Sequence, residues 1–252
     1  MIGNVYALRS VQDAAGKSVI AANLAFELAS SGQKTLLLDL DYVWPSLHRY
    51  FNLPRHQASV LAALRFLGQG KLDANNMEEL TVRLVAKGVG VDFMSGYRLG
   101  DHSELLSSSV LAQLIDYLRS RFDTLVLDCP SGMTNSVLKP IETTFTKTIW
   151  VTQIDPISLG RFVDAHETLL TSQPKTDHDV LVLNRMRGSV LGARPEWQVQ
   201  QVLRDRTHFK SAVMIPDDPI FDQALLKGLP LRQISAKSKA LVAVSELASR
   251  LQ

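Results

Sequence analysis

Hydrophobic positions along the chain fall into two alternating patterns. Short, almost uninterrupted apolar runs begin with Asn4-Val5-Tyr6-Ala7-Leu8. They continue at Thr35–Leu40, Val91–Met94, Thr124–Asp128, Thr148–Thr152, Val180–Asn184 and Ala212–Ile215. Such runs suit parallel strands covered on both faces, because no side is left for water. Between them lie stretches with a helical period. Lys17–Ser31 spaces Ile20, Leu24 and Leu28 along one face and stops at Gly32. Leu105–Arg121 carries a stripe of Leu111, Leu114, Ile115 and Leu118, and Ile157–Thr171, Glu196–Arg206 and Lys239–Leu251 read likewise. Strands alternating with helices predict right-handed βαβ units. The expected fold is α/β: a doubly wound, mostly parallel sheet with helices on both faces. No linker, repeat or shift in composition divides the chain, so residues 1–252 read as a single domain.

Composition narrows the picture. Hydrophobic residues at 46% and charged residues at 21% are near globular averages, which excludes disordered and low-complexity classes. One cysteine, Cys129, excludes an internal disulfide and a clustered thiolate metal site, and fits a reducing cytoplasm. The six histidines show no ligand spacing with one another. No run approaches the ~20 apolar residues of a membrane span, and no secretory signal opens the chain. A cytoplasmic location is expected, with recruitment to a cell pole or the inner membrane face through partners. The net charge of +2 conceals an asymmetry. Residues 1–184 hold 16 basic and 19 acidic groups, and residues 185–252 hold 11 and 6.

The segment after the first run is Ser10-Val11-Gln12-Asp13-Ala14-Ala15-Gly16-Lys17-Ser18, and it leads straight into a helix. A phosphate loop needs this setting. Backbone N–H groups at the helix start cradle phosphate, a lysine reaches the terminal phosphates, and a hydroxyl binds Mg²⁺. Lys17 and Ser18 fill the last two roles. Val11 stands where the usual pattern has its first glycine, so Gly-Lys-Ser alone is also readable as an ordinary strand–turn–helix. Two further runs end in carboxylates. Leu38-Asp39-Leu40-Asp41 places two carboxylates on one face of a strand end, and Leu127-Asp128 precedes a Pro130/Gly132 turn. At the C-terminal ends of strands such groups reach the ligand cleft of an α/β sheet. One can hold Mg²⁺ or its water while another orients an attacking water.

In order and spacing these elements resemble the MinD/ParA family of deviant-Walker ATPases. Ala21-Ala22-Asn23-Leu24-Ala25, Leu183-Asn184-Arg185, Ile215-Pro216-Asp217 and the Ala224…Gly228-Leu229-Pro230 segment extend the likeness over essentially the whole chain. The nearest branch by resemblance is the CpaE/TadZ group of pilus-localisation proteins, carried by Leu38–Tyr42, Leu47–Leu53 and the helix that Leu61 and Leu64 begin. Members of that branch often have a receiver-like domain ahead of this one. The present chain starts almost at its first strand, so that domain is expected to be absent or removed. The resemblance implies ATP and Mg²⁺ as ligands. It implies nucleotide contacts from Ala15, Gly16, Lys17, Ser18, Val19, Asn184 and Pro216, and cation contacts from Ser18, Asp39 and Asp128. The catalytic groups it implies are Lys17, Asp39 and Asp41. It also implies a homodimer that positions a pilus or secretion apparatus. Two alternatives stay open: an active ATPase for division-site selection or plasmid and chromosome partition, and a nucleotide-independent interaction scaffold.

Departures from the pattern bear on chemistry. The family's signature lysine, which reaches the partner subunit's nucleotide, falls at Gln12, and two family glycines fall at Asp13 and Ala14. Ala14 is restricted if its position needs positive φ, and Asp13 adds like charge beside a triphosphate. Binding through Gly16, Lys17 and Ser18 is expected to survive better than turnover, which would be weak and Mg-dependent. The basic C-terminal third includes Arg185, Arg187, Arg194, Arg204, Arg206, Lys210, Lys227, Arg232, Lys237 and Lys239. A solvated face is preferred there over a nonspecific DNA surface. Lys239–Leu251 is expected to pack into the core rather than onto a membrane, and Cys129 to pack at the rim of the cleft. The aromatic tract Tyr42-Val43-Trp44-Pro45 with Leu47, Tyr50 and Phe51 reads equally as a partner surface or as packing.

Overall fold

A computed structural model describes residues 2–54, 58–97, 108–132, 138–172, 179–186, 201, 203, 205–209 and 211–252. Among the described residues eight strands form one sheet: β1 (Asn4–Arg9), β2 (Thr35–Asp39), β3 (Val82–Ala86), β4 (Val89–Met94), β5 (Thr124–Asp128), β6 (Lys147–Gln153), β7 (Val180–Met186) and β8 (Ala212–Pro216). Their order is β3-β4-β2-β5-β1-β6-β7-β8. Every neighbouring pair is parallel except β3–β4, an antiparallel hairpin at one edge. The described helices are α1 (Lys17–Ser30), α2 (Leu47–Tyr50), α3 (Val60–Gly68), α4 (Ala74–Leu80), α5 (Ser108–Arg119), α6 (Pro156–Ser172), α7 (Ile220–Lys227), α8 (Leu231–Ile234) and α9 (Lys239–Leu251).

The continuous apolar runs have the predicted cause. Along β1 and β2, Tyr6, Leu8 and Leu37 face a layer containing α1 and α9, while Val5, Ala7, Leu36 and Leu38 face α3 and α5. Period-2 alternation thus sends successive side chains into two different cores, and both must be apolar. In α9, Val244, Leu247 and Leu251 join the first core, as the sequence predicts. Phe162 and Val163 of α6 pack with Trp150, Leu181 and Leu183 in a third cluster.

The structure adds elements that the periodicity misses. β3 alternates exposed and covered residues as an edge strand does, and Lys87-Gly88, both at positive φ, turns it into β4 as a two-residue hairpin. α7 ends at Gly228 in the left-handed conformation, a short helix closed by its C-terminal glycine. The segment predicted as a helix from Glu196 to Arg206 lies mostly outside the described residues, as do 105–107 of the other.

Candidate functional site

β1 runs into the loop Ser10–Gly16, and α1 starts at Lys17. Gly16 caps the helix at φ 98°, and a Cβ there would collide with the Asn184 amide. That amide donates to the Ala15 carbonyl at 2.8 Å, which fixes the loop against the end of β7. Ala14 sits at φ 59°, the strained conformation anticipated for an alanine in this place. The Gln153 side chain holds its carbonyl at 2.8 Å. The Lys17 ammonium donates to the Ser131 hydroxyl at 2.6 Å, tying the loop to the turn after β5.

Three strands end together beside this loop. Asp39 and Asp128 are register partners on β2 and β5, and Asp128 also neighbours Leu8 of β1. Both carboxylates are buried. Asp39 accepts from the backbone N–H groups of Asp41 (3.1 Å), Ser46 (3.0 Å) and Leu47 (3.1 Å), so it closes the start of α2. Gly96 makes that burial possible, because a Cβ there would approach the Asp39 carboxylate to 2.8 Å. Neither oxygen of Asp128 has a partner in ordinary hydrogen-bond geometry among the described residues. Burial raises the Asp128 pKa, and the nearby Lys17 ammonium and Ser18 hydroxyl offset part of the rise. Asp39 is raised well above the carboxylate range, first by burial and then by the Asp128 charge. A buried, unsatisfied carboxylate with a lysine and a serine hydroxyl close by fits a divalent cation carried in with phosphates, since the donors are hard oxygens.

Asp41 stands farther out. Its Oδ1 accepts from the N–H groups of Val43 and Trp44, holding a turn that leaves both side chains exposed. The aromatic tract therefore divides: Leu47, Tyr50 and Phe51 enter the core, and Val43 and Trp44 face solvent. Gln12 does not reach outward as a signature lysine would. Its amide donates to Ser158 at 2.5 Å and accepts from Arg161 at 3.3 Å, both on α6 of the same chain.

On the other side of the loop is a cleft of about 340 Å³ lined by Gly16, Val19, Ile20, Asn184, Arg185, Asp217, Asp218, Pro219, Phe221, Asp222 and Leu225. A bulge between Leu183 and Met186, with Arg185 at φ 55°, shapes its wall. Asn184 and Val19 line it, and Pro216 ends β8 directly before the Asp217–Pro219 part of its wall. Cys129 differs from the expected rim position. It is wholly buried rather than at a rim, and burial pushes its thiol up to about 12. Sequence reasoning misses Ser46, Gly96, Ser131 and Gln153. Ser131 alone had a signal, in its place between Pro130 and Gly132. His166 and His208, distant in sequence, meet at 2.7 Å between ring nitrogens away from this site. Of the basic C-terminal residues, Arg206 pairs with Asp164 and Glu167, and Arg232 with Glu27. Arg187, Arg194, Arg204 and Lys210 lie outside the described residues. No described helix is long and apolar enough to cross a membrane.

Comparison with known proteins agrees with this architecture. The chain superposes on a ParA family ATPase from Chlorobium tepidum with a TM-score of 0.81 at 17% identity, covering 98% of each chain. It superposes on MinD from Pyrococcus horikoshii, complexed with Mg-ADP, with a TM-score of 0.75 at 20% identity, covering 100% of this chain and 96% of that one. In sequence it is 30% identical to a putative tyrosine-protein kinase, CapB, of Staphylococcus aureus over 124 residues, 49% of this chain and 50% of that protein. The chain thus spans half or less of the curated relatives it matches first, 16% in the case of EpsB from Ralstonia solanacearum. An uncharacterized ATP-binding protein of Methanocaldococcus jannaschii is 23% identical over 99% of this chain and 88% of its own. The family model described as cellulose biosynthesis protein BcsQ matches residues 3–251, and the chain belongs to that family, with the fold of the MinD/ParA ATPases.

Proposed function

We propose that residues 1–252 form one nucleotide-binding domain that binds ATP or ADP with Mg²⁺ and acts as a homodimer to position an envelope-synthesis or secretion apparatus. The observation that carries the nucleotide reading is the convergence of Gly16, Lys17, Ser18, Asp39 and Asp128 at the C-terminal ends of three adjacent parallel strands. Backbone N–H groups of Ala15 to Val19 cradle the phosphates, with Lys17 neutralising their charge. Ser18 and Asp128 hold the cation, which supplies charge neutralisation at the phosphates when bound, and Asp39 orders the corner around it. Asn184 and Val19 face the base. For Asp41, at the outer edge, we propose the role of orienting water.

Binding rather than fast hydrolysis suits these residues. Gln12 brings no charge and is engaged by its own α6, and Asp13 opposes the phosphates. The exposed Val43 and Trp44 beside Asp41 support a second copy of the chain as partner. For cargo, the family's description supports a cellulose-synthesis apparatus. Nothing comparable supports the pilus apparatus expected from the sequence.

Titration of the purified chain with a fluorescent ATP analogue and Mg²⁺ tests the core of this reading. Saturable binding, weakened at least tenfold by Lys17→Ala, is expected; no binding at millimolar nucleotide would overturn it. Deleting the gene in its host and measuring cellulose and piliation separately tests the cargo.

A further inference from the structure

Ser46 belongs to none of the motifs that carry the resemblance, yet it touches both sides of the cation corner. Its backbone N–H donates to Asp39 Oδ2 at 3.0 Å, and its hydroxyl donates to Ser18 Oγ at 3.1 Å. One residue at the start of α2 therefore links the first turn of α1 to the carboxylate at the end of β2. A serine oxygen has one hydrogen and two lone pairs. With Ser46 donating into one lone pair of Ser18, that oxygen keeps its second lone pair for a cation. Its hydrogen remains for the neighbouring Asp128, whose two buried oxygens have no partner in ordinary geometry among the described residues.

We infer that Ser46 is a positioning residue for the divalent cation, fixing which face of the Ser18 hydroxyl is presented to it. The inference rests on the nucleotide reading above. Mg²⁺ demands near-ideal octahedral geometry and discriminates sharply against a ligand that rotates. Outer partners that orient metal ligands are worth 10–100-fold in affinity. The effect is separable from folding. Asp39 is capped by the backbone N–H groups of Ser46 and Leu47, which remain when the Ser46 side chain is shortened.

The test is calorimetric titration of the full chain with ADP, in MgCl₂ and in EDTA, comparing the unsubstituted protein with Ser46→Ala and Ser46→Thr. The unsubstituted chain binds ADP more tightly with Mg²⁺. In Ser46→Ala that increment falls about tenfold, binding in EDTA stays within about twofold, and Ser46→Thr restores the increment. Ser46→Gly, which also keeps the N–H, gives the same readout if the alanine variant does not fold. An intact Mg²⁺ increment in the shortened variants, or equal weakening in MgCl₂ and EDTA, overturns the assignment while leaving the nucleotide reading in place. Absence of ADP binding by the unsubstituted chain under both conditions removes the nucleotide reading, and the role of Ser46 falls with it.

Discussion

Replacing Asp128 by asparagine isolates the energetic cost of the buried carboxylate pair. Asp39 and Asp128 are register partners on adjacent parallel strands, which lie about 4.8 Å apart. Two unit charges at roughly that distance repel by about 3 kcal/mol at an effective dielectric near 20. Lys17 and the three N–H groups on Asp39 offset part of this, leaving a penalty of about 2 kcal/mol. Asparagine has the same shape and removes one charge. Without ligand at pH 8, Asp128→Asn should therefore be the more stable protein by about 2 kcal/mol, or about 4–8 °C in melting temperature for a chain of this size.

The sign of the pH dependence follows from the direction of the shifts. Both carboxyls are raised by burial, so between about pH 4 and their folded values the native state holds more protons than the unfolded one. The pair's contribution is favourable at low pH and is lost as pH rises through that window. The variant's advantage should then be larger at pH 8 than at pH 4, growing as the pair ionises. Thermal and urea denaturation followed by circular dichroism at both pH values measures it. A variant less stable than the parent at pH 8, or an advantage independent of pH, would refute the reasoning. With ADP and Mg²⁺ the order should reverse, because the parent alone gains the cation-dependent part of binding.

Three further outcomes are expected. Gly16→Ala should cost about 2–3 kcal/mol in stability and abolish nucleotide binding, since φ 98° is strained for alanine and its methyl displaces the Asn184 amide; denaturation and ADP titration check both. His166 is pushed down to about 4, first by burial and then by His208, so the native ring stays neutral down to that value, while its contribution to stability is full above the unfolded value near 6.5 and is lost as pH falls from there toward 4. Ring-proton NMR should show no His166 titration above about pH 5, and a midpoint near 6.5 would contradict the buried pair. Cys129 should resist a thiol reagent at pH 8 and react stoichiometrically once unfolded, because burial holds its thiol near 12; rapid labelling of the native protein would contradict that.

The strand ends were readable from the chain because their signal is local. A buried strand must be apolar almost throughout, so the aspartates closing β2 and β5 interrupt the pattern visibly. β3 is not legible in the same way, because an edge strand with one wet face lacks the continuous apolar run of a buried one, and its antiparallel direction depends on the Lys87-Gly88 turn. Ser46 carries no local signature at all. Its importance comes from a hydroxyl aimed at Ser18, 28 positions earlier, and an N–H aimed at Asp39.

By itself the sequence determined the alternating layers, the phosphate-loop lysine and serine, and the two strand-end carboxylates, since hydrophobic period and residue type depend only on neighbours along the chain. Tertiary structure alone decided the rest. It gave Asp39 a capping role, left Asp128 buried without an ordinary hydrogen bond among the described residues, turned Gln12 onto α6, and divided the aromatic tract between core and surface. Each of those outcomes depends on distances between segments far apart in sequence, which only the crossover connections of the sheet bring together.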